Sequence, residues 1–263
     1  MILYFSGTGN SLAIARKISE SIGEQVISMY DAVAADLSGE KRIGLVFPTY
    51  NLDAPIAVTQ LIPEIRFPKG AYTFVVITCG AQTNNAVWTV RQLLRRQGVA
   101  VDYCHKIRVP DSSALAFGRN PNDQAWKFQK FAPRLDAIIG DLAAQKRRLH
   151  FAGFDPFGWL LSRPSLRSKV GKMTTPQVNP DRCIGCGICA QVCPQNNINL
   201  CSVSPSSVSS KNGLVATIGD RCTWCLGCVH FCPQQAVEVN GKSVSKSFQY
   251  HHPDIKLKDL LRR

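Results

Sequence analysis

Eight cysteines dominate the chemistry open to this chain. They fall in two runs, C-I-G-C-G-I-C-A-Q-V-C-P from Cys183 to Pro194 and C-T-W-C-L-G-C-V-H-F-C-P from Cys222 to Pro233. Both read C-x-x-C-x-x-C-x-x-x-C-P. Three cysteines spaced this way on a tight loop turn their sulfurs into one pocket. Gly185, Gly187 and Gly227 are expected to let the backbone curl and aim N–H groups at a negative centre. The proline after each fourth cysteine keeps the chain from continuing as a helix. Zinc knuckles also use C-x-x-C pairs, but a doubled set of four thiolates, each ending in Cys-Pro, is a poor zinc pattern. The spacing points to iron–sulfur clusters of the [4Fe–4S] type.

Segment 183–233 resembles the bacterial-type ferredoxin domain. In such two-cluster modules the fourth cysteine of each run ligates the other cluster. The resemblance therefore implies Cys183, Cys186, Cys189 and Cys232 around one [4Fe–4S] cluster, and Cys222, Cys225, Cys228 and Cys193 around a second. Neither half then closes without the other.

The chain has 263 residues, of which 45% are hydrophobic, enough for two domains with packed cores. Of its 11 cysteines, Cys79, Cys104 and Cys201 lie outside the two runs. The first two sit in apolar, strand-like stretches and read as buried free thiols, and Cys201 reads as a non-ligand. Thiolate clusters need a reducing compartment. No signal-type segment precedes the opening strand pattern, and no run of apolar residues is long enough to span a membrane, so a cytoplasmic location is expected. The net charge of +13 has several readings. No nucleic-acid recognition motif accompanies it. Docking to an acidic redox partner protein fits it better, beside the plain alternative of a solvated basic surface.

A second kind of chemistry sits at the start of the chain. Met1-Ile2-Leu3-Tyr4-Phe5 runs into Ser6-Gly7-Thr8-Gly9-Asn10-Ser11, followed by a helical pattern through Leu12, Ala15, Ile18 and Ile22 that stops at Gly23. A strand, a Gly-rich turn and a helix N-terminus make a phosphate site. A Walker A loop needs a lysine where Asn10 stands, and the dinucleotide fingerprint needs a small residue where Leu12 stands. The remaining form is the flavodoxin-type loop, and residues 1–150 resemble the flavodoxin fold. Further strands are expected at Arg42–Phe47, Ala71–Thr78 and Val99–Val109, with helices around 54–62 and 83–97. The alternation predicts an α/β, doubly wound parallel sheet. The resemblance implies FMN, its phosphate held by Ser6, Gly7, Thr8, Gly9, Asn10 and Ser11. Pro48, Thr49, Tyr50 and Asn51 would lie on its ring, with Tyr50 stacking. Thr78, Cys79, Gly80, Ala81 and Gln82 would meet its pyrimidine edge, in a loop that lacks the second aromatic common in the family.

Asn120-Pro121 is expected to open a long helix, with Trp126, Phe128, Phe131, Leu135, Ile138, Ile139 and Leu142 as a core-facing stripe, a kink at Pro133 and Lys146-Arg147-Arg148 as a basic end. Residues 151–173 form an aromatic and basic linker expected to dock the two modules. Residues 174–263 form a small α+β ferredoxin-type domain, with a Ser-rich surface loop at Ser202–Ser210, a short strand at Ala236–Val239 and a weak helix near Leu257–Leu261. His230 reads as a packing residue, and Trp224 as a shield against water.

The whole pattern resembles flavodoxin–ferredoxin fusion proteins of anaerobic microbes. That implies an electron-transfer protein moving single electrons between FMN and two [4Fe–4S] clusters. The alternative is an FMN-dependent oxidoreductase that reduces a small molecule, for which the 111–120 loop is the one place a lid could hide. The sequence offers no nucleophile–base pair or carboxylate dyad.

Overall fold

A computed structural model of the chain describes residues 1–83, 85–150, 156, 160, 171, 174–202 and 213–261. The chain divides into two compact units: Met1–Ser6, Asn10–Pro110 and Ala125–Arg167 in the first, and Gly7–Gly9, Asp111–Gln124 and Ser168–Arg263 in the second.

In the first unit, β1 (Ile2–Tyr4), β2 (Val26–Ser28), β3 (Arg42–Pro48), β4 (Tyr72–Cys79), β5 (Tyr103–Arg108) and β6 (Arg148–Leu149) form one sheet in the order β2-β1-β3-β4-β5-β6. Every neighbouring pair is parallel. This is a doubly wound α/β sheet with the 2-1-3-4-5 order of flavodoxins and one added edge strand. The reason is legible in β4, whose sequence Y-T-F-V-V-I-T-C is buried throughout, as a central parallel strand must be. Its alternate side chains serve opposite faces. Phe74 and Val76 pack with Ala15 and Ile18 of α1 (Asn10–Ile22) and with Leu135, Ile138 and Leu142 of α4 (Trp126–Ala143). Val75 and Ile77 pack with Val58 of α2 (Ile56–Leu61) and with Val87, Val90 and Leu94 of α3 (Ala86–Arg96). Each of these side chains larger than Ala15 contributes roughly 1.5–3 kcal/mol through burial. Gly44 in β3 is bare for a reason: a Cβ there would stand 2.2 Å from the Phe74 ring. The sheet order reverses between β1 and β3, so the loops after these strands diverge at the switch point.

Several local expectations need correction. Strand β5 begins only at Tyr103, where pairing with Phe74 starts, and Val99–Asp102 is connection. Asn120 caps a short 3-10 turn at Pro121–Gln124, accepting from the Asn122 N–H at 3.0 Å, and the long helix starts at Trp126. Trp126 is 52% exposed beneath Lys130 and is not core, whereas Leu135, Ile138 and Leu142 are. Helical structure runs on through Pro133 and ends at Ala143, where Gln145 takes a left-handed φ of 49° and the Lys146 N–H donates back to the Asp141 carbonyl at 2.9 Å, and Arg148 and Leu149 then pair with Tyr103 and Cys104 as β6.

In the second unit, β7 (Pro176–Val178) pairs antiparallel with β10 (Val237–Val239), and β8 (Ile198–Ser202) with β9 (Leu214–Ile218). Two short helices, α5 (Ile188–Gln191) and α6 (Gly227–His230), follow the cysteine loops. This is the small α+β domain expected, though β7, β8 and β9 gave no strand signal beside the cysteine runs. Asn240 and Gly241 turn the chain with φ of 55° and 66°, and Val239 and Lys242 exchange backbone hydrogen bonds across them. The weak terminal helix is a 3-10 turn at Leu257–Asp259. Segment 111–124 is held in this unit: Leu115 joins the core containing Val215, Leu226 and Val237, and the Asn240 amide donates to the Ala116 carbonyl. The Ser-rich stretch beyond Ser202 and the aromatic linker, apart from Pro156, Leu160 and Gly171, lie outside the described residues. Among the described residues no helix is long and apolar enough to cross a membrane.

Candidate functional site

The two cysteine runs fold into two cavities. One is lined by Cys183, Cys186, Cys189 and Cys232, with Ile184, Ile188, Leu200 and Val237 around them. The other is lined by Cys193, Cys222, Cys225 and Cys228, with Ile198, Ile218 and Leu226. Each cavity thus takes three cysteines from one run and the fourth from the other. Four cysteines at each cavity are the thiolate count of a [4Fe–4S] cluster. Burial, followed by the charges of Cys183, Cys186 and Cys232, pushes the Cys189 thiol up to about 12. Burial and the nearby Cys222 and Cys193 likewise push Cys225 up to about 12. Such thiols become thiolates only when a positive centre takes the proton's place. The donor set fits iron.

The backbone around each cavity shows how the loops curl. In the first run Gly185 and Gly187 have φ of 66° and 76°. In the second the matching positions are Trp224 and Leu226, at 57° and 58°. The expectation for Gly227 therefore needs correction, since this residue is helical. Gly227 is small for another reason: its Cβ would stand 3.1 Å from the Gly7 carbonyl oxygen, within the same unit. Only laying one run on the other would reveal Trp224 and Leu226 as left-handed positions. Backbone N–H groups reach the sulfurs. Trp224 donates to Cys222 at 3.3 Å, Asn197 to Cys193 at 3.4 Å and Ala236 to Cys232 at 3.2 Å. The Trp224 indole donates to Thr175 Oγ1 at 3.1 Å. His230 is a packing residue, accepting from the Tyr250 N–H at Nδ1 and meeting the Ser112 carbonyl at Nε2. Burial drops its pKa to about 4, so it is neutral. Cys201 is exposed on β8 and lines neither cavity, and Cys79 and Cys104 are buried outside any disulfide.

The three loops expected at a flavin are partly tied together. The Ser11 and Thr78 hydroxyls lie 2.8 Å apart, and the Asn10 amide donates to the Pro110 carbonyl at 3.1 Å. Thr49 N–H donates to the Thr78 carbonyl at 2.9 Å. Residues Gly7–Gly9 belong by contact to the second unit, where the His252 N–H donates to the Thr8 carbonyl at 2.9 Å. Tyr50 and Asp53 bridge a tight turn in which Asn51 and Leu52 have φ of 47° and 69°. The Tyr50 ring meets Phe5 edge-on at 6.2 Å. Thr49 Oγ1 and Asn51 Nδ2 are buried, and neither finds a hydrogen-bond partner among the described residues. Two orphaned polar atoms in one loop are what a polar ligand would satisfy. The FMN pattern therefore fits the residues present.

Sequence reasoning missed what secures the loop after β4. Lys106 Nζ donates to Gln82 Oε1 at 2.8 Å, Arg108 Nε to the Ala81 carbonyl at 3.2 Å, and Lys127 Nζ to the Gly80 carbonyl at 2.8 Å. The available signal was Lys106 and Arg108 two apart at the end of β5, hence on one face.

The 4Fe-4S binding domain family matches residues 176–199. No curated protein matches the chain. Among solved structures, the two-electron reduced flavodoxin of Megasphaera elsdenii is 23% identical over 40% of this chain and 82% of its own, with a TM-score of 0.34. An FMN-dependent NADH-azoreductase of Bacillus anthracis is 12% identical over 54% of this chain and 98% of its own, at 0.36. The rubredoxin:oxygen oxidoreductase of Desulfovibrio gigas is 18% identical over 52% of this chain and 35% of its own, at 0.33. Overlaps this partial leave the fold assignment to the strand order.

Proposed function

We propose that this chain, a flavodoxin-type sheet joined to a 4Fe-4S binding domain, is an electron-transfer protein that holds one FMN and two [4Fe–4S] clusters and passes electrons to a redox partner. The observation that carries the reading is the pair of cavities lined by Cys183, Cys186, Cys189 and Cys232, and by Cys193, Cys222, Cys225 and Cys228. Such a cluster carries one electron at a time and FMN up to two, so together they join one- and two-electron chemistry. The chain's own part is positioning. The cysteines supply thiolates, and the N–H groups of Trp224, Asn197 and Ala236 stabilise sulfur charge. Thr49 and Asn51 offer polar atoms to the flavin ring, and Ser6–Ser11 offer N–H groups at the start of α1 to its phosphate.

The partner is a protein with an acidic docking face, matching the net charge of +13. A cytoplasmic, anaerobic setting suits oxygen-sensitive clusters. The test is anaerobic preparation with iron, sulfide and flavin analysis: about eight irons, eight sulfides and one FMN per chain are expected from this cofactor set, and colourless protein would overturn the reading. Mixing the reduced protein with small oxidants, and separately with acidic redox proteins, decides between carrier and FMN-dependent oxidoreductase. Turnover of a small molecule without a partner protein favours the oxidoreductase.

A further inference from the structure

Three cations converge on one short loop in the first unit. Lys127 reaches the Gly80 carbonyl from the first turn of α4, Arg108 the Ala81 carbonyl and Lys106 the Gln82 side chain from the end of β5. Lys127 is itself buried, and it also approaches the Val109 carbonyl at 3.4 Å. Taking a lysine out of water is costly, and here it serves the carbonyl side of the 80–82 loop. A cation on a peptide carbonyl polarises the whole peptide unit. Lys127 on Gly80 C=O makes the Ala81 N–H a stronger donor, and Arg108 on Ala81 C=O does the same for the Gln82 N–H. Burial foremost, then the charges of Arg108 and Arg134, hold the Lys106 ammonium below its ordinary pKa. This end of β5 is therefore a crowded positive field.

We propose that Lys106, Arg108 and Lys127 act as positioning residues behind the 80–82 loop, making its N–H edge selective for the reduced, negatively charged state of the flavin and so raising the flavin's potential. The inference rests on the flavin reading above. Adding two electrons and one proton to neutral isoalloxazine leaves a monoanion whose charge lies at the pyrimidine edge, the part assigned to this loop. Donors backed by cations bind that anion better than the neutral oxidised ring. The same three residues would also favour electron flow into the flavin from the low-potential clusters.

The experiment uses the full chain loaded with FMN. Affinity for oxidised FMN is read by fluorescence quenching, and the flavin potential by spectroelectrochemical titration with dithionite. Arg108→Gln, Lys106→Gln and Lys127→Met are compared with wild type, with Arg108→Lys and Lys127→Arg as charge-retaining partners. Removing the charges together is expected to cut the preference for reduced over oxidised FMN about tenfold, which is about 30 mV for a two-electron couple. The charge-retaining variants recover most of it. If Lys127→Met fails to fold, the Arg108→Gln and Lys106→Gln pair decides alone. Wild type that binds FMN while the variants keep its redox preference overturns this inference and leaves the flavin reading standing. Wild type that binds no FMN in either state overturns both.

Discussion

Gly9 sits at φ 96°, and a Cβ there would stand 2.9 Å from Ile255 Cβ and 3.2 Å from His252 Cβ. Gly23, also left-handed at φ 71°, has open space around it. The two glycines separate backbone strain from collision. Gly23→Ala should cost about 1 kcal/mol from conformation alone. Gly9→Ala adds the displacement of Ile255 and should cost about 2–4 kcal/mol, with at least tenfold weaker FMN binding. Urea melts and FMN titration of the two variants check the ranking, and equal effects would remove Ile255 from the account. A second residue reports on pH. Burial, with Arg134, Arg148 and His150 nearby, lowers the His105 pKa below its ordinary value. A histidine with a depressed native pKa binds fewer protons folded than unfolded, so its contribution to stability is lost as pH falls below the unfolded value of about 6.5. His105→Asn should therefore flatten the decline in Tm between pH 7 and pH 5, measured by calorimetry against wild type.

At the level of elements, the sequence carried the sheet better than the loops. The buried run of β4 and the Gly-rich turn before α1 are strong local patterns, and each landed within a residue or so of its place. The strand β6 is two residues long and exists only because Tyr103 and Cys104 offer an edge, so nothing local announces it. Trp126 fits the stripe by spacing but lies in the first turn of α4, before the helix meets the sheet. The cysteine spacing picked out the eight cysteines that line the two cavities, yet the left-handed positions of the second run were hidden because Trp224 and Leu226 occupy them in place of glycine. These elements yield two tests. A Cβ on Gly185 would meet the Leu214 carbonyl oxygen at 2.6 Å, while one on Gly187 would meet only the end of the Leu200 side chain at 3.4 Å. Both adopt positive φ, and the second run tolerates side chains there. On the two-cluster reading proposed above, Gly185→Ala should lower iron content by about half, the loss of one cluster, and Gly187→Ala should leave it near wild type. In the sheet, Gly44→Ala must displace the Phe74 ring from a full core and should cost about 1–3 kcal/mol in chemical denaturation.

For the whole molecule, the decisive feature is that the second unit has a core built partly from the cysteines of the two runs. Cys183, Cys189, Cys228 and Cys232 are counted among the same buried cluster as Leu226, Val229 and Val237. On the cluster reading proposed above, removing the metal leaves buried thiols, among them Cys189 and Cys228 with pKa values pushed up by burial, and metal-binding energy that was folding energy is lost. The first unit has no such debt, since its two apolar layers lie on either side of a complete sheet. Anaerobic chelation of iron should consequently melt the second unit while the first keeps a cooperative thermal transition. On the FMN reading proposed above, that loss reaches Gly7–Gly9, the part of the phosphate loop that belongs to the second unit. Its Thr8 carbonyl is held by the His252 N–H, and Gly9 is backed by Ile255, all within the second unit. Freed of those contacts, the loop must order itself when it binds phosphate, at a cost of about 1–2 kcal/mol per residue fixed. Iron removal should therefore weaken FMN binding at least tenfold, with reconstitution by iron and sulfide restoring it. Riboflavin, which lacks the phosphate, should bind equally well before and after, and a parallel loss for riboflavin would mean that the damage lies in the sheet and not in the loop.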